Sequence, residues 1–595
     1  MAGEIRLKLQ SVLPPIHCNA WPRDWDRTEA VAVDTEWDPE NPDRLLCIGI
    51  GNDRWVSQWW WQELSDTGRE HLARHLESLV RSAPVIYHAA DADIKALRRQ
   101  GLNITAACHK QLEDTMLAHA VLESEAEHSL EHLSLKYGVL PPYKHLRDED
   151  LGLYNAADVV ETHYLWVWHF LPAFMRDRLS HLIYRNEMIR FLDIKIESEE
   201  LGIAVNAEVA KRLAALYEGR IEQATRIAHA YCGWPVNLGS PAQVKAVCYG
   251  MERMPVQRSH KEPEKATTNK DALATLRRLM GTEWDAGEEP TLEDTLQRIE
   301  NGGHPFLEAR ALYYGAQQAL SHYVRPCLGV ERIYPECRQH VQASGRHSYV
   351  GPAVQQFRGP LLDLLVPDPG MVWVGHDWKQ IEVRILAYEA GDEPYIRAFE
   401  RGDDIHELNA RAIFGPPGSP DLEAIRRRFV KAFVFRLHYR GRPENAGDIP
   451  GARILGLNEK RLIEASERYL AAHPALPAYW AKIEAEAKRT GVVRTFLGRP
   501  RRLTSPYRSA RMREACNHPM QGGVADIYIT TALAVKEAAP WARLVYGAHD
   551  SQWWEMPGYR REEFEALYRP IVEREYVIRG RRVRFPADYK YKERP

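Results

Sequence analysis

The chain has no long apolar run, and none of its hydrophobic stretches approaches the roughly 20 residues that a membrane-spanning helix needs. Its opening residues, MAGEIRLKLQSVLPP, lack the basic, apolar and small-residue order of a secretory signal. Cysteine is sparse: 8 scattered residues in 595, with no C-x-x-C pair, argue against a disulfide framework or a common zinc module. That usage fits a reducing compartment. A dominant charge is absent too, because 79 Lys and Arg against 82 Asp and Glu leave a net −3. A surface coated in basic residues is therefore excluded. A nucleic-acid partner would need its basic residues gathered locally, and they are gathered, chiefly between Arg426 and Arg513. What remains is ordinary, with 45% hydrophobic and 27% charged residues, as in globular proteins. A chain of this length exceeds a single core, so three or four domains are expected.

Carboxylates carry the chemical signal. In residues 372–388, VWVGHDWKQIEVRILAY, the run Val372-Trp373-Val374 has strand composition, interrupted by Gly375 and His376 just before Asp377. From Ile381 the spacing turns helical, with Ile381, Ile385 and Tyr388 recurring on one side. Such an aspartate alone reads as a helix cap. A second one changes the balance. In LVYGAHDSQWWEM, two strand-like runs, 544–546 and 552–554, flank a turn with His549-Asp550 at its tip. Two aspartates on adjacent strand ends can hold a pair of divalent cations, which activate an attacking oxygen and stabilise a leaving phosphate.

A further acidic set lies near the amino terminus. Residues 30–33 read as a strand running into Asp34-Thr35-Glu36, where residues two apart share a face. Strands follow at 44–51, 54–57 and 85–88, then a helix holding Asp93. Tyr154 and Asp158 stand one helical turn apart. Each of these acids alone is ordinary solvated surface. Residues 1–29, with their Pro and Trp, are not assigned.

Together and in this order, the two sets resemble the family A DNA polymerases, the DNA polymerase I group. Asp377 to Arg384 is similar to that family's motif A, His549-Asp550-Ser551 to its motif C, and the amino-terminal acids to a DEDD-type 3′–5′ exonuclease with a terminal tyrosine. The resemblance implies an α/β multidomain chain, with an RNase H-like exonuclease domain and a right-hand polymerase. Its expected bounds are exonuclease 1–181, thumb 182–340, palm 341–387, fingers 388–510 and palm again 511–595. It also implies two Mg²⁺ per active site, with Mn²⁺ as a substitute, on Asp377 and Asp550 in one and on Asp34, Glu36, Asp93 and Asp158 in the other. Tyr154 would orient the attacking water.

The remaining roles come from the same resemblance. RRRFVKAFVFRLHYRG matches motif B, so Arg427 and Lys431 would hold the triphosphate, with Lys431 protonating the leaving group, and Phe435 and Tyr439 would face base and sugar. Their spacing lets them share a helix face. Gln380, Glu382 and His406 would complete the nucleotide site, Glu382 as the sugar gate. Arg346, Gln355, Arg513, Asn517, Gln521 and His549 would contact primer-template DNA, and Pro519 would kink the helix holding Arg513, Asn517 and Gln521 or delay its start. Ser240-Pro241 reads as a capped helix start in the thumb. The acidic stretch 280–303 carries Leu292, Leu296 and Ile299 at helical spacing, which either packs on the thumb or docks a processivity partner.

Departures from the family pattern are Ala89 for Asn, Pro360 for Arg, Lys379 for Ser, Ser551 for Glu, and Arg436 and Arg440 for glycines. They leave two rivals to a proofreading polymerase: an exonuclease whose polymerase half is a degenerate DNA-binding clamp, and a non-enzymatic scaffold. With no stretch before residue 30 that could hold a 5′-nuclease, the expectation is a phage-like replicative enzyme, monomeric, in the cytoplasm of a bacterial host.

Overall fold

The computed structural model describes residues 2–595 except 23, 24, 27, 260, 261, 263, 281–289 and 549. Two sheets organise it. The amino-terminal sheet has six strands in the order Ile16–Cys18, Val56–Trp60, Asn41–Gly51, Val31–Asp38, Pro84–Tyr87 and Gln111–Asp114. The three strands Asn41–Gly51, Val31–Asp38 and Val56–Trp60 form an antiparallel meander, and the later two strands add in parallel through helical crossovers. Residues 1–29, unassigned from sequence, contribute the edge strand Ile16–Cys18 and the helix Ala2–Val12. Val31–Asp38 is nearly buried along its length, which is why Val-Ala-Val precedes the acids.

The second sheet has four antiparallel strands, Arg543–Ala548, Ser551–Pro557, Met371–Trp378 and Ala587–Lys592. The strand Met371–Trp378 is not interrupted at Gly375-His376, as its composition suggests, but runs through to Trp378. Both residues have a reason to be in the strand. A Cβ on Gly375 would sit 2.7 Å from the ring of Trp553 on the neighbouring strand. His376 is buried against Trp378 and hydrogen-bonds the Tyr568 hydroxyl of the covering helix Arg561–Val572.

Helices fill the rest. Ala207–Cys232 packs along Pro305–Ala319 around an apolar cluster of its own, with Leu238, Val244, Leu276 and Phe306 at its centre. Ser240 caps the short helix Pro241–Lys245, with Pro241 at its first position, as the sequence indicates. In the stretch 280–303, residues 281–289 lie outside the described residues. The later part of that stretch forms a helix, Leu292–Glu300, opened by a Thr291–Asp294 capping box. Its inward residues are Leu292 and Thr295, whereas Leu296 is 44% exposed, so the expected 292–296–299 stripe does not all face inward. Finally, Arg508–Ala538 is one 31-residue helix running through Pro519, which neither ends it nor delays its start.

Candidate active sites

The amino-terminal site forms where Val31–Asp38 faces the helix Leu151–Leu165. Ligand atoms of Asp34, Glu36 and Asp158 lie within 4.8 Å of one another, the single such acidic or histidine group among the described residues. Asp93 is not one of the three. Its Oδ1 accepts from both the Thr35 amide and hydroxyl, at 2.8 and 2.7 Å, so it braces the strand between Asp34 and Glu36. Tyr154 lies beside Asp158, as their spacing requires, and both hydrogen-bond the ammonium of Lys144.

The electrostatics of the cluster follow from crowding. Burial, then the charges of Asp158, Glu36 and Asp93, raise the Asp34 carboxyl well above the usual carboxylate range, against the opposing charge of Lys144. Burial and Asp158 lift Glu36 to about 7, against the opposing charges of Arg147 and Lys144. Three converging carboxylates are a donor set for hard divalent cations. Asn155 donates to Asp34 at 2.7 Å, and the opposite residue, Gly49, has no room for a Cβ, which would meet the Asn155 amide at 2.3 Å. Asn155, Gly49, Tyr143, Lys144 and Arg147 were missed from sequence, and no motif flags them.

Around this centre, Asp114 accepts from the amides of Ala90 and Leu117 and so caps two helices. Ala89, where the family pattern has Asn, holds a left-handed backbone with φ 65°. Asn takes that conformation more readily than alanine, at a difference of order 1 kcal/mol.

In the second site, Asp377 pairs across the sheet with Ser551 on one side and Asp588 on the other. Asp550 sits at the turn just before Ser551, and its carbonyl accepts the Trp378 amide at 3.2 Å. Burial and then the Asp377 charge raise Asp550 to about 6. Ser551, in place of a glutamate, turns its hydroxyl to the Ala548 carbonyl at 2.9 Å and offers no second acid. Lys590 reaches Asp377 at 3.2 Å, and Lys379 pairs with Asp588 at 2.7 Å. The departure at Lys379 thus has a partner on the last strand.

Above the aspartates, Gln380 takes a left-handed backbone with φ 53° that turns the strand into the helix Ile381–Ala390. The turn brings Glu382 over the site, where Arg346 and the Tyr439 hydroxyl both bond its carboxylate. Arg427, Lys431 and Phe435 lie on successive turns of the helix Pro420–His438, with Tyr439 closing it. Arg427 pairs with Asp404, whose carboxylate also caps the helix carrying His406. Arg427 and Lys431 are both close enough to depress His406, whose pKa is lowered chiefly by burial. The glycine departures have structural partners. Arg440 takes φ 58°, where glycine would be unstrained, and is tied to Glu484 at 2.9 Å and to the Trp480 ring. Arg436 bonds the Asn445 carbonyl and Asp448, and Gly441 gives it room.

Arg513, Asn517 and Gln521 lie four residues apart on Arg508–Ala538, and Gln521 also reaches Tyr439. Gln355 is engaged locally, donating to the Tyr349 carbonyl at 3.3 Å. His549 lies outside the described residues.

A family model described as DNA polymerase family A matches residues 207–592, and one described as 3′-5′ exonuclease matches 12–147. The chain belongs to DNA polymerase family A. The exonuclease match ends before Tyr154 and Asp158, which the fold brings to Asp34 and Glu36. DNA polymerase I of Mycobacterium bovis is 29% identical over 64% of this chain and 41% of its own length. That of Pseudomonas aeruginosa is 26% identical over 91% of this chain and 61% of its own. The family A chain thus spans about two fifths to three fifths of these relatives, which are bacterial and lend no support to a phage origin. The POL domain of Pol1 from M. smegmatis, in complex with DNA primer-template and dNTP, shares the fold. Its TM-score is 0.76 over 95% of this chain and 94% of that one, at 23% identity. Among the described residues no helix is long and apolar enough to cross a membrane, and all eight cysteines are free.

Proposed function

We propose that this chain is a template-directed DNA polymerase that extends a primer 3′ end with dNTPs and proofreads it with a 3′–5′ exonuclease. The observation that carries the reading is the pair of carboxylate centres on two different sheets, Asp377 and Asp550 within the polymerase match and Asp34 and Glu36 within the exonuclease match, with Asp158 brought to them by the fold. Each centre suits divalent cations, two Mg²⁺ with Mn²⁺ as a substitute, which would activate the attacking oxygen and neutralise charge on the reacting phosphate. Asp377 and Asp550 would hold them in the polymerase, and Asp34, Glu36 and Asp158, braced by Asp93, in the exonuclease.

The chain's own groups do the rest. Arg427, Lys431 and His406 form a cationic and hydrogen-bonding pocket for the triphosphate. Lys431 is the group to protonate the departing pyrophosphate. Glu382, fixed by Arg346 and Tyr439, closes the space that a ribose 2′-hydroxyl would occupy, while Phe435 and Tyr439 flank base and sugar. Gln380 sets the turn that presents Glu382. Arg346, Gln355, Arg513, Asn517, Gln521 and His549 would follow the duplex, where minor-groove acceptors are alike for every correct pair. Exonuclease 1–181, thumb 182–340, palm 341–387 and 511–595, and fingers 388–510 are the working units, in a monomer acting in a bacterial cytoplasm. The helix Leu292–Glu300 serves as thumb packing through Leu292.

Against a degenerate clamp stand the retained Asp377, Asp550, Arg427, Lys431 and Phe435, and the anchored positions of Arg436 and Arg440. Incubation with a primed template, four dNTPs and Mg²⁺ should yield full-length product. An unextended primer, degraded only from its 3′ end, would favour the clamp.

A further inference from the structure

Lys144 opens a short turn, Lys144–Leu146, ahead of the helix Leu151–Leu165, and belongs to neither motif set. Its ammonium lies 2.7 and 2.8 Å from the two Asp158 oxygens and 3.1 Å from the Tyr154 hydroxyl. It also sits over the rings of Tyr154, at 4.7 Å, and Tyr143, at 5.3 Å. Tyr143 in turn donates to Asp158 Oδ1 at 2.6 Å. The lysine side chain is 19% exposed and that of Asp158 5%, so this is a held contact. Exposed lysine–carboxylate pairs contribute little and rarely keep one geometry. This one is fixed by three hydrogen bonds and two ring faces.

Asp158 is also one of the three carboxylates whose ligand atoms converge within 4.8 Å. Its two oxygens are therefore claimed twice, by the ammonium and by any divalent cation the cluster accepts. Lys144 also bonds the Tyr154 hydroxyl, a contact made by the same ammonium but not through Asp158.

We propose that Lys144 is a tethered counter-cation and positioning residue of the exonuclease centre. It holds Asp158 while no metal is bound, yields the carboxylate to a divalent cation, and keeps the Tyr154 hydroxyl in place thereafter. The proposal rests on the exonuclease reading of that site. A purely structural lysine would lack one consequence. A fixed positive charge beside the cluster opposes metal binding, so removing it tightens metal while the misplaced tyrosine slows turnover.

The test uses the full chain with Asp377→Ala and Asp550→Ala, so that bound Mn²⁺ reports on the amino-terminal cluster, with free Mn²⁺ followed by electron paramagnetic resonance. Lys144→Met should lower the Mn²⁺ Kd by about fivefold or more. At saturating Mn²⁺, the kcat for release of 3′-terminal nucleotides from single-stranded DNA should fall by about tenfold or more. Lys144→Arg, which keeps the charge, should retain the weaker affinity. Unchanged or weaker Mn²⁺ binding by a folded Lys144→Met protein would overturn the proposal, as would an unchanged kcat. Should Lys144→Met not fold, Lys144→Gln is read by the same two criteria. If the parent protein neither binds Mn²⁺ at the cluster nor degrades DNA, the exonuclease reading itself fails. That outcome is distinct from a parent that does both and is indifferent to Lys144.

Discussion

Glu382 shows how much one carboxylate can be asked to do. It stands in the first turn of its helix, bonded by Arg346 and Tyr439, and it adds to the charges acting on Asp550. Glu382→Ala should therefore raise ribonucleotide incorporation relative to deoxynucleotide by about 5- to 150-fold, the loss of a hydrogen-bonded barrier worth about 1–3 kcal/mol. Competing kcat/KM values for the two nucleotides check this, and an unchanged ratio removes Glu382 from the sugar gate. The crowded carboxylates make a second prediction. Glu36, near 7 in the folded chain, and Asp550, near 6, keep protons that their unfolded counterparts, with ordinary values of 4.5 and 3.8, have already released. Between those values the folded state binds more protons, so these groups favour folding less as pH rises through that window. A divalent cation offsets the repulsion only where the carboxylates are ionised. The rise in Tm on adding Mg²⁺ should thus be larger at about pH 7.5 than at about pH 5.5, as thermal melts would record. An equal rise at both would mean that these acids do not bind the metal.

At the scale of elements, the strand Met371–Trp378 is the most demanding piece, because three strands must align to set Asp377 beside Asp550 and Asp588. Gly375 makes the alignment feasible, since a Cβ there would meet the Trp553 ring at 2.7 Å. Gly375→Ala should cost about 1–3 kcal/mol of stability through overpacking. It should also reduce primer extension by about tenfold or more while 3′ degradation is unaffected, because the strain falls between the strand carrying Asp377 and the strand that Asp550 leads into. Equal losses of both activities would place the strain elsewhere. The same strand shows what a sequence can convey. Its apolar strand composition and the helical stripe after it were readable, and so were the aspartates. That Gly375-His376 would continue the strand was not, because the reason is a tryptophan on a strand 178 residues later in the chain. Lys144 and Asn155 were illegible for a similar reason: they act through contacts with distant carboxylates, and no local pattern marks them. Pro519 looked like a boundary by its missing amide, yet the helix Arg508–Ala538 carries it in its buried middle. Asp93 was legible as an acid of the right motif, but its bonds to Thr35 needed the fold.

Across the whole molecule, the two centres share one framework. The helix Leu192–Leu201 bridges the sheets: Lys195 pairs with Asp91 beside the first, and the Ser198 hydroxyl donates to the Val545 carbonyl of the second at 3.0 Å. Arg499, buried, ties Glu187 to Asp526 at the same junction. A single apolar cluster runs from Val31 to Phe585, whereas the helices around Phe306 keep a core of their own. The two centres should therefore be chemically independent although mechanically continuous, and one pair of variants tests this most directly. With a primed template, dNTPs and Mg²⁺, Asp377→Ala should abolish extension, by about a thousandfold or more, and leave degradation of single-stranded 3′ ends intact. Asp34→Ala with Glu36→Ala should do the reverse. Loss of both activities in either folded variant would contradict the assignment of two separate metal-dependent sites.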